Sequence, residues 1–215
     1  IWNPMRKLVL TGILWVAAMA AQAQYPEYKP LADASAFQAQ FAAASQKTNT
    51  IKSEFVQEKN LSLLADKIVS KGKFWFRKEN AVRMEYTQPF QYLMVINGNN
   101  VYIKDSQKEN KISAKSNKLF QQINKIMIDC VNGRALQGGD FKVRIFEGST
   151  AYLAELSPVD KNMKTFFSHV NMIIEKKDYA VSRIEMHEPS GDDTSISFVN
   201  RQFNTPLADA LFAIR

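Results

Sequence analysis

From Ile51 onward the apolar residues of this chain recur at every second position, and this alternation constrains the fold more than any other feature. Between Lys67 and Lys78, Ile68, Ser70, Gly72, Phe74 and Phe76 share one parity, while Lys67, Lys71, Lys73 and Arg77 share the other with Val69 and Trp75. Successive side chains of a strand point to opposite faces. A sheet built this way has one buried and one wet face, as antiparallel sheets do. Ile51 to Leu61 reads as the preceding strand, and Val82, Met84 and Tyr86 alternate with Arg83 and Glu85 in the next. Pro89 ends that strand because it cannot donate to a central ladder.

Tyr92 to Ile96 and Val101 to Lys104 flank Asn97-Gly98-Asn99-Asn100, a hairpin signal because Asn-Gly accepts positive φ. Further strands are expected at Phe141 to Phe146, Tyr152 to Leu156, His169 to Glu175, Ala180 to Glu188 and Asp193 to Phe203. Two segments have helical periodicity instead. Asp33 to Lys47 carries a capping box, Ser35 with Gln38, and aligns Phe37, Phe41 and Ala44 on one face. Ser116 to Val131 carries an apolar stripe of Leu119, Phe120, Ile123, Ile126, Met127, Cys130 and Val131 before the Asn132-Gly133 stop. Many strands with few helices and little room for βαβ units predict an α+β fold, antiparallel and in part an open barrel.

Met5-Arg6-Lys7, the apolar run Leu8 to Ala20 and Ala21-Gln22-Ala23 have the order of a signal peptide, with cleavage after Ala23. Ile1 to Pro4 read as upstream sequence. The apolar run is shorter than the roughly 20 residues of a membrane span. The domain reading is therefore a signal peptide with its upstream residues over 1–23 and one domain over 24–215. Cys130 is the only cysteine, so no internal disulfide contributes and stability must come from the core. The net charge of +7 becomes +5, from 26 basic and 21 acidic residues, once Arg6 and Lys7 are removed. The lysines form no run, which reads as a solvated surface with no nucleic-acid partner.

Catalytic constellations are missing: there is no G-x-S-x-G, H-E-x-x-H, C-x-x-C, P-loop or G-x-G-x-x-G. His169 and His187 are expected far apart on separate strands, Asp192-Asp193 reads as a turn, and Cys130 lies on an apolar helix face. No metal, cofactor or catalytic residue is expected, and the chain reads as a non-enzyme.

Gly72-Lys73-Phe74-Trp75-Phe76-Arg77-Lys78 followed by Arg83-Met84-Glu85-Tyr86-Thr87-Gln88-Pro89 resembles the LolA family of periplasmic carriers of outer-membrane lipoproteins. Phe55-Val56-Gln57, the Ile96 to Gly98 hairpin and the chain end Leu207 to Phe212 follow in the same order, so the resemblance runs from about Phe37 to Ile214. It implies an unclosed antiparallel barrel covered by a helical lid, with an apolar cavity between them. Phe55, Phe74, Phe76, Met84, Tyr86, Leu119, Phe120, Ile123, Ile126 and Met127 are the candidates for the acyl-chain cavity. The family commonly places an Arg latch to the lid where Lys78 stands here. Lys78 supplies one charged donor but not a bidentate fork, and Arg77 has the parity of the wet face. The resemblance further implies a periplasmic monomer whose partners are acylated lipoproteins, an inner-membrane ATP-driven extractor and an outer-membrane acceptor. The alternative is a lipid-binding or envelope-stress sensing module of the same fold.

The signal reading makes a direct prediction: the mature protein begins at Gln24 and appears in the osmotic-shock fraction without detergent. Edman sequencing that returns an uncleaved Met5 terminus from a membrane pellet contradicts it.

Overall fold

The computed structural model describes residues 25–63, 66–78, 80–98, 100–105, 109–113, 128–129, 134–137 and 139–214. The chain begins with a two-residue strand, β1 (Lys29–Pro30), and then helix α1 (Ser35–Lys47). The alternating region follows as β2 (Thr50–Asn60), β3 (Lys67–Arg77), β4 (Ala81–Gln88), β5 (Tyr92–Asn97), β6 (Asn100–Asp105) and β7 (Glu109–Ser113). Beyond a short 3₁₀ turn (Arg134–Leu136) come β8 (Phe141–Glu147), β9 (Ala151–Pro158) and the one-turn helix α2 (Lys161–Lys164). They are followed by β10 (His169–Glu175), β11 (Val181–His187) and β12 (Asp193–Phe203), then a final 3₁₀ turn (Asp209–Phe212).

The twelve strands form one sheet in the order β1-β8-β9-β10-β11-β12-β2-β3-β4-β5-β6-β7. All its pairings are antiparallel, as the alternation predicts. Among the described residues the end strands β1 and β7 do not pair with each other, so the sheet is unclosed. The fold is α+β in the expected sense, an open antiparallel sheet with few helices. The segment expected to form the second helix, including Leu119, Phe120, Ile123, Ile126, Met127 and Cys130, lies outside the described residues apart from Ile128 and Asp129.

Inward-facing residues build two adjoining clusters. One joins Phe55, Phe74, Phe76, Val82, Met84, Met94, Ile96 and Val101 from the β2–β6 side, with Ile196 of β12 and Ile128. The other joins Leu156, Val170, Met172, Ile174 and Ile184 from the β8–β11 side with Phe37 and Phe41 of α1. Met186 and Phe198 pack against both. Gly72 lets β3 approach its neighbours: a Cβ there would lie 2.2 Å from the Glu85 carbonyl oxygen and 2.7 Å from the Phe55 ring.

Three local expectations need correction. Ser35 does not cap α1. The preceding Ala34 occupies the cap, and the Asp33 carboxylate instead accepts the Ser35 amide at 2.9 Å, which holds the Asp33 pKa below its ordinary value. The outer face is not uniformly wet, because Trp75 is buried under the chain end with Ala81 and a fully buried Phe212. Arg83 Nη1 donates to the Leu211 carbonyl at 3.2 Å, Asn97 Nδ2 to the Phe212 carbonyl at 3.1 Å, and Arg77 pairs with Asp209. Arg77, read from parity as a solvated residue, thus lies over the Phe212 ring at 4.8 Å.

His169 and His187, expected to lie far apart, are instead register partners whose rings stack with centroids 4.1 Å apart. Antiparallel pairing of β10 with β11 brings them together. His187 Nδ1 lies 2.6 Å from Asp193, and burial, with His187 alongside, pushes the His169 pKa down. The same outer face holds buried Glu155, which Arg144 grips with two nitrogens at 2.7 and 2.9 Å. The Tyr25 hydroxyl reaches both Glu155 (3.0 Å) and Asn171 (3.2 Å), and burial pushes its pKa up to about 12. Among the described residues no cluster of three or more His, Cys, Asp or Glu side chains is arranged for a metal ion.

The covering of Trp75 gives a stability prediction. Phe212→Ala removes a fully buried ring and should cost about 3 kcal/mol, read as a lower urea midpoint with an unchanged slope. A midpoint within error of wild type would show that the chain end is not part of the folded core.

Candidate functional site

Helix α1 lies over the sheet because Phe37, Phe41 and Ser45, at four-residue spacing, form its buried stripe. Phe37 meets Tyr152 with ring centroids 4.4 Å apart and Phe41 at 5.9 Å. Full burial of each phenylalanine contributes roughly 1.5–3 kcal/mol to holding the helix down.

The C-terminal half of α1 does not fill the space beneath it. A cavity of about 90 Å³ lies there, walled by Phe41, Ala44 and Ile51 with Phe74, Ile184 and Phe198. Polar groups line one part: Ser45 and Thr48 from the end of α1, Asp178 from the β10–β11 turn, and Arg201 from β12. Arg201 is placed by a bulge in β12 between Val199 and Gln202, where Asn200 takes φ +53°. Its Nη1 donates to the carbonyls of Ala180 (3.2 Å) and Val181 (3.0 Å), and Nη2 stands 3.7 Å from Asp178.

The end of α1 is fastened from outside. Lys78 Nζ donates to the Gln46 carbonyl at 2.8 Å, and Asn204 Nδ2 to the Lys47 carbonyl at 3.1 Å. The Asn49 amide donates to Asn204 Oδ1 at 2.7 Å. The Lys78 and Asn204 Nδ2 bonds satisfy carbonyls that a helix end leaves without intrahelical partners. Among the described residues the start of α1 has no side-chain cap. The helix is therefore tied at its C-terminal end and held elsewhere mainly by two aromatic rings.

Of the residues expected to line a cavity, Phe55, Phe74, Phe76 and Met84 are buried in one cluster, with Tyr86 packed against it. Phe74 also lines the cavity under α1. The Tyr86 hydroxyl donates to Gln57 at 2.9 Å, and burial pushes its pKa up to about 12. Lys78 makes a single charged bond to a helix carbonyl, and its acceptor belongs to α1. Residues of the cavity wall that the sequence reading passed over include Tyr179, Val181, Phe203 and Arg201. Phe198 and Phe203 stand at odd spacing across the β12 bulge, which breaks their alternation.

These features define a class: proteins with an open antiparallel sheet whose inner face is apolar, with a helix packed beside a cavity on that face. The family profile described as outer membrane lipoprotein carrier protein LolA matches residues 46–215. The chain belongs to the LolA family. Among solved structures, an uncharacterised conserved protein from Thermus thermophilus is similar at 11% identity and a TM-score of 0.52, over 84% of this chain and 93% of that one. MucB, known also from the Pseudomonas aeruginosa MucA/MucB complex, is similar at 16% identity and a TM-score of 0.50. That likeness covers 86% of this chain and 64% of MucB. A LolA superfamily protein from Nitrosomonas europaea follows at 11% identity and a TM-score of 0.45, over 82% of this chain and 97% of that one. No curated protein sequence matches the chain.

The tether has a measurable consequence. Lys78→Leu should speed hydrogen exchange across peptides covering 35–47, while Arg77→Leu should speed it across 207–212 and leave α1 unchanged. Wild-type exchange of α1 in Lys78→Leu would remove Lys78 from any role in holding the helix.

Proposed function

We propose that the protein is a periplasmic carrier that shelters the acyl chains of lipoproteins between the sheet and its helices. It moves them from an inner-membrane ATP-driven extractor to an outer-membrane acceptor. The observation that carries this reading is the apolar cavity under a helix fastened at one end. The description of the matched family supports it, and so does the order Arg6-Lys7, apolar run and Ala21-Gln22-Ala23 in the sequence. No helix among the described residues is long and apolar enough to cross a membrane. In this reading residues 1–23 are a removed signal peptide and 24–215 act as one monomeric carrier without catalytic chemistry. Phe74 lines the cavity under α1, and in the loaded carrier Phe55, Phe76, Met84, Tyr86, Leu119, Phe120, Ile123, Ile126 and Met127 join it along the acyl chains.

Magnitudes fit a carrier that opens to load. The cavity of about 90 Å³ is below the roughly 300–1,000 Å³ of pockets that hold whole small molecules. A complete acyl chain therefore requires α1 to lift. Lifting it exposes Phe37 and Phe41, at a cost of about 3–6 kcal/mol. Each methylene covered returns roughly 0.8 kcal/mol, so about four to eight of them offset the opening. Lys78 adds one charged hydrogen bond to the closed state, a latch weak enough to release.

A fluorescent hydrophobic probe should bind the folded protein and be displaced by a purified lipoprotein but not by its non-acylated form. Equal competition by the non-acylated form would mean that the protein surface is recognised, as a sensing module requires, and would refute the carrier reading.

A further inference from the structure

We propose that His169 and His187 form an acid-sensitive clasp on the outer face of the sheet, which holds β10 against β11 when neutral and parts them when both rings are protonated. The clasp acts on strands that help to wall the cavity, whatever the cavity holds, and so goes beyond the carrier reading.

The geometry is that of two neutral rings. They face each other across β10 and β11 with centroids 4.1 Å apart and planes inclined by 14°. Asn171 fixes the tautomer of one ring. Its Oδ1 accepts from the Tyr25 hydroxyl at 3.2 Å and its Nδ2 donates to Glu185 at 3.3 Å, so the amide nitrogen is the atom 3.3 Å from His187 Nε2. Nε2 therefore accepts, and the proton of neutral His187 lies on Nδ1, 2.6 Å from Asp193. A further proton must enter at Nε2, where it meets the Asn171 amide hydrogens and breaks that bond. His169 Nδ1 stands 3.2 Å from Ser168 Oγ, whose own proton goes to the His187 carbonyl at 2.9 Å.

The surrounding charges do not accommodate two cations. Besides His187, the charged groups acting on His169 are Glu155 of β9, Asp193 of β12 and Arg144 of β8. Arg144 grips Glu155 with two nitrogens at 2.9 and 2.7 Å, so those two charges largely offset each other. Glu185 of β11 is shared by Arg183 at 3.4 Å and Asn171. In the β11–β12 turn, Glu188 stands 3.8 Å from Lys59, and Asp192 accepts from the Ser62 amide and hydroxyl. Asp193 is left to balance one imidazolium, and a second one stacked on the first is repelled.

Burial, with His187 alongside, already pushes the His169 pKa below its ordinary value. The unfolded chain therefore binds this proton more readily than the folded one. The stability that neutral His169 contributes is complete above its ordinary pKa of 6.5 and is lost as pH falls from there toward the lowered value. The repulsion falls at one end of the β10–β11 pair. At the other end Arg201 holds the Ala180 and Val181 carbonyls. Parting thus starts at His169–His187 and runs toward Met172–Ile184, where Ile184 lines the cavity.

The sequence holds two histidines, so proton NMR of the ring Hε1 signals yields one titration curve for each. The His169 midpoint should lie below its ordinary value and should rise in His187→Gln. Hydrogen exchange, corrected for its intrinsic pH dependence, should show peptides covering 168–175 and 181–188 losing about tenfold in protection between about pH 7.5 and about pH 5, relative to β2 and β3. In His169→Gln, which cannot become a second cation, that acid loss should vanish. The clasp is overturned by a His169 midpoint at or above its ordinary value, or by one that His187→Gln leaves unmoved. It is equally overturned if wild type keeps its protection in acid, or if His169→Gln loses as much as wild type. No ligand enters these measurements, so either result leaves the carrier reading where it stands.

Discussion

The contact on which the structure depends is the seating of the Phe55 ring over Gly72. With no side chain on Gly72, β2 and β3 can pair along their whole length, residue for residue from Thr50 with Arg77 to Asn60 with Lys67. The Phe55 ring then fills the space that a Cβ would claim. The β3–β4 register shifts at the same place, between Lys71 and Gly72. Bulges of this kind increase local twist and bend the strand. The inward residues of β2 to β6 meet in one cluster around this point.

Most of the sheet was legible in the sequence because period-two alternation reports directly on which face is buried. The limits of β2, β3, β10 and β12 fall within a residue or so of their expected positions. Three kinds of feature were not legible, each for a physical reason. Short elements such as β1, α2 and the terminal 3₁₀ turn hold too few residues to show a period. Contacts set by strand order, such as the His169–His187 stack, depend on which strands pair, and alternation says nothing about that. Burial on the second face of β3 required knowing that residues 207–212 fold back over Trp75. Alternation alone made Arg77 look solvated, and its ring and carboxylate partners come from the far end of the chain.

The candidate site was legible to a lesser degree. Parity put Phe74 and Phe76 on one face of their strand and Met84 and Tyr86 on one face of the next, and these meet in one cluster with Phe55, which the family resemblance supplied. Parity cannot distinguish a filled cluster from the wall of a cavity, and only the packing of α1 shows that Phe74 does both. The bulge in β12 hid Arg201 and Phe203, because one extra residue changes the parity of everything beyond it.

The pairing of β12 with β2 places residues separated by more than a hundred positions side by side at the middle of the sheet. An antiparallel sheet assembled from its ends can grow strand by strand, but one whose centre joins the first long strand to the last cannot be completed early. Until residue 203 is available, β2 presents an unpaired edge and an uncovered apolar face. Bringing such distant segments together is slow. During synthesis the N-terminal half is therefore a chain without its partner. The order of strands thus postpones completion of the sheet until β12 has been made.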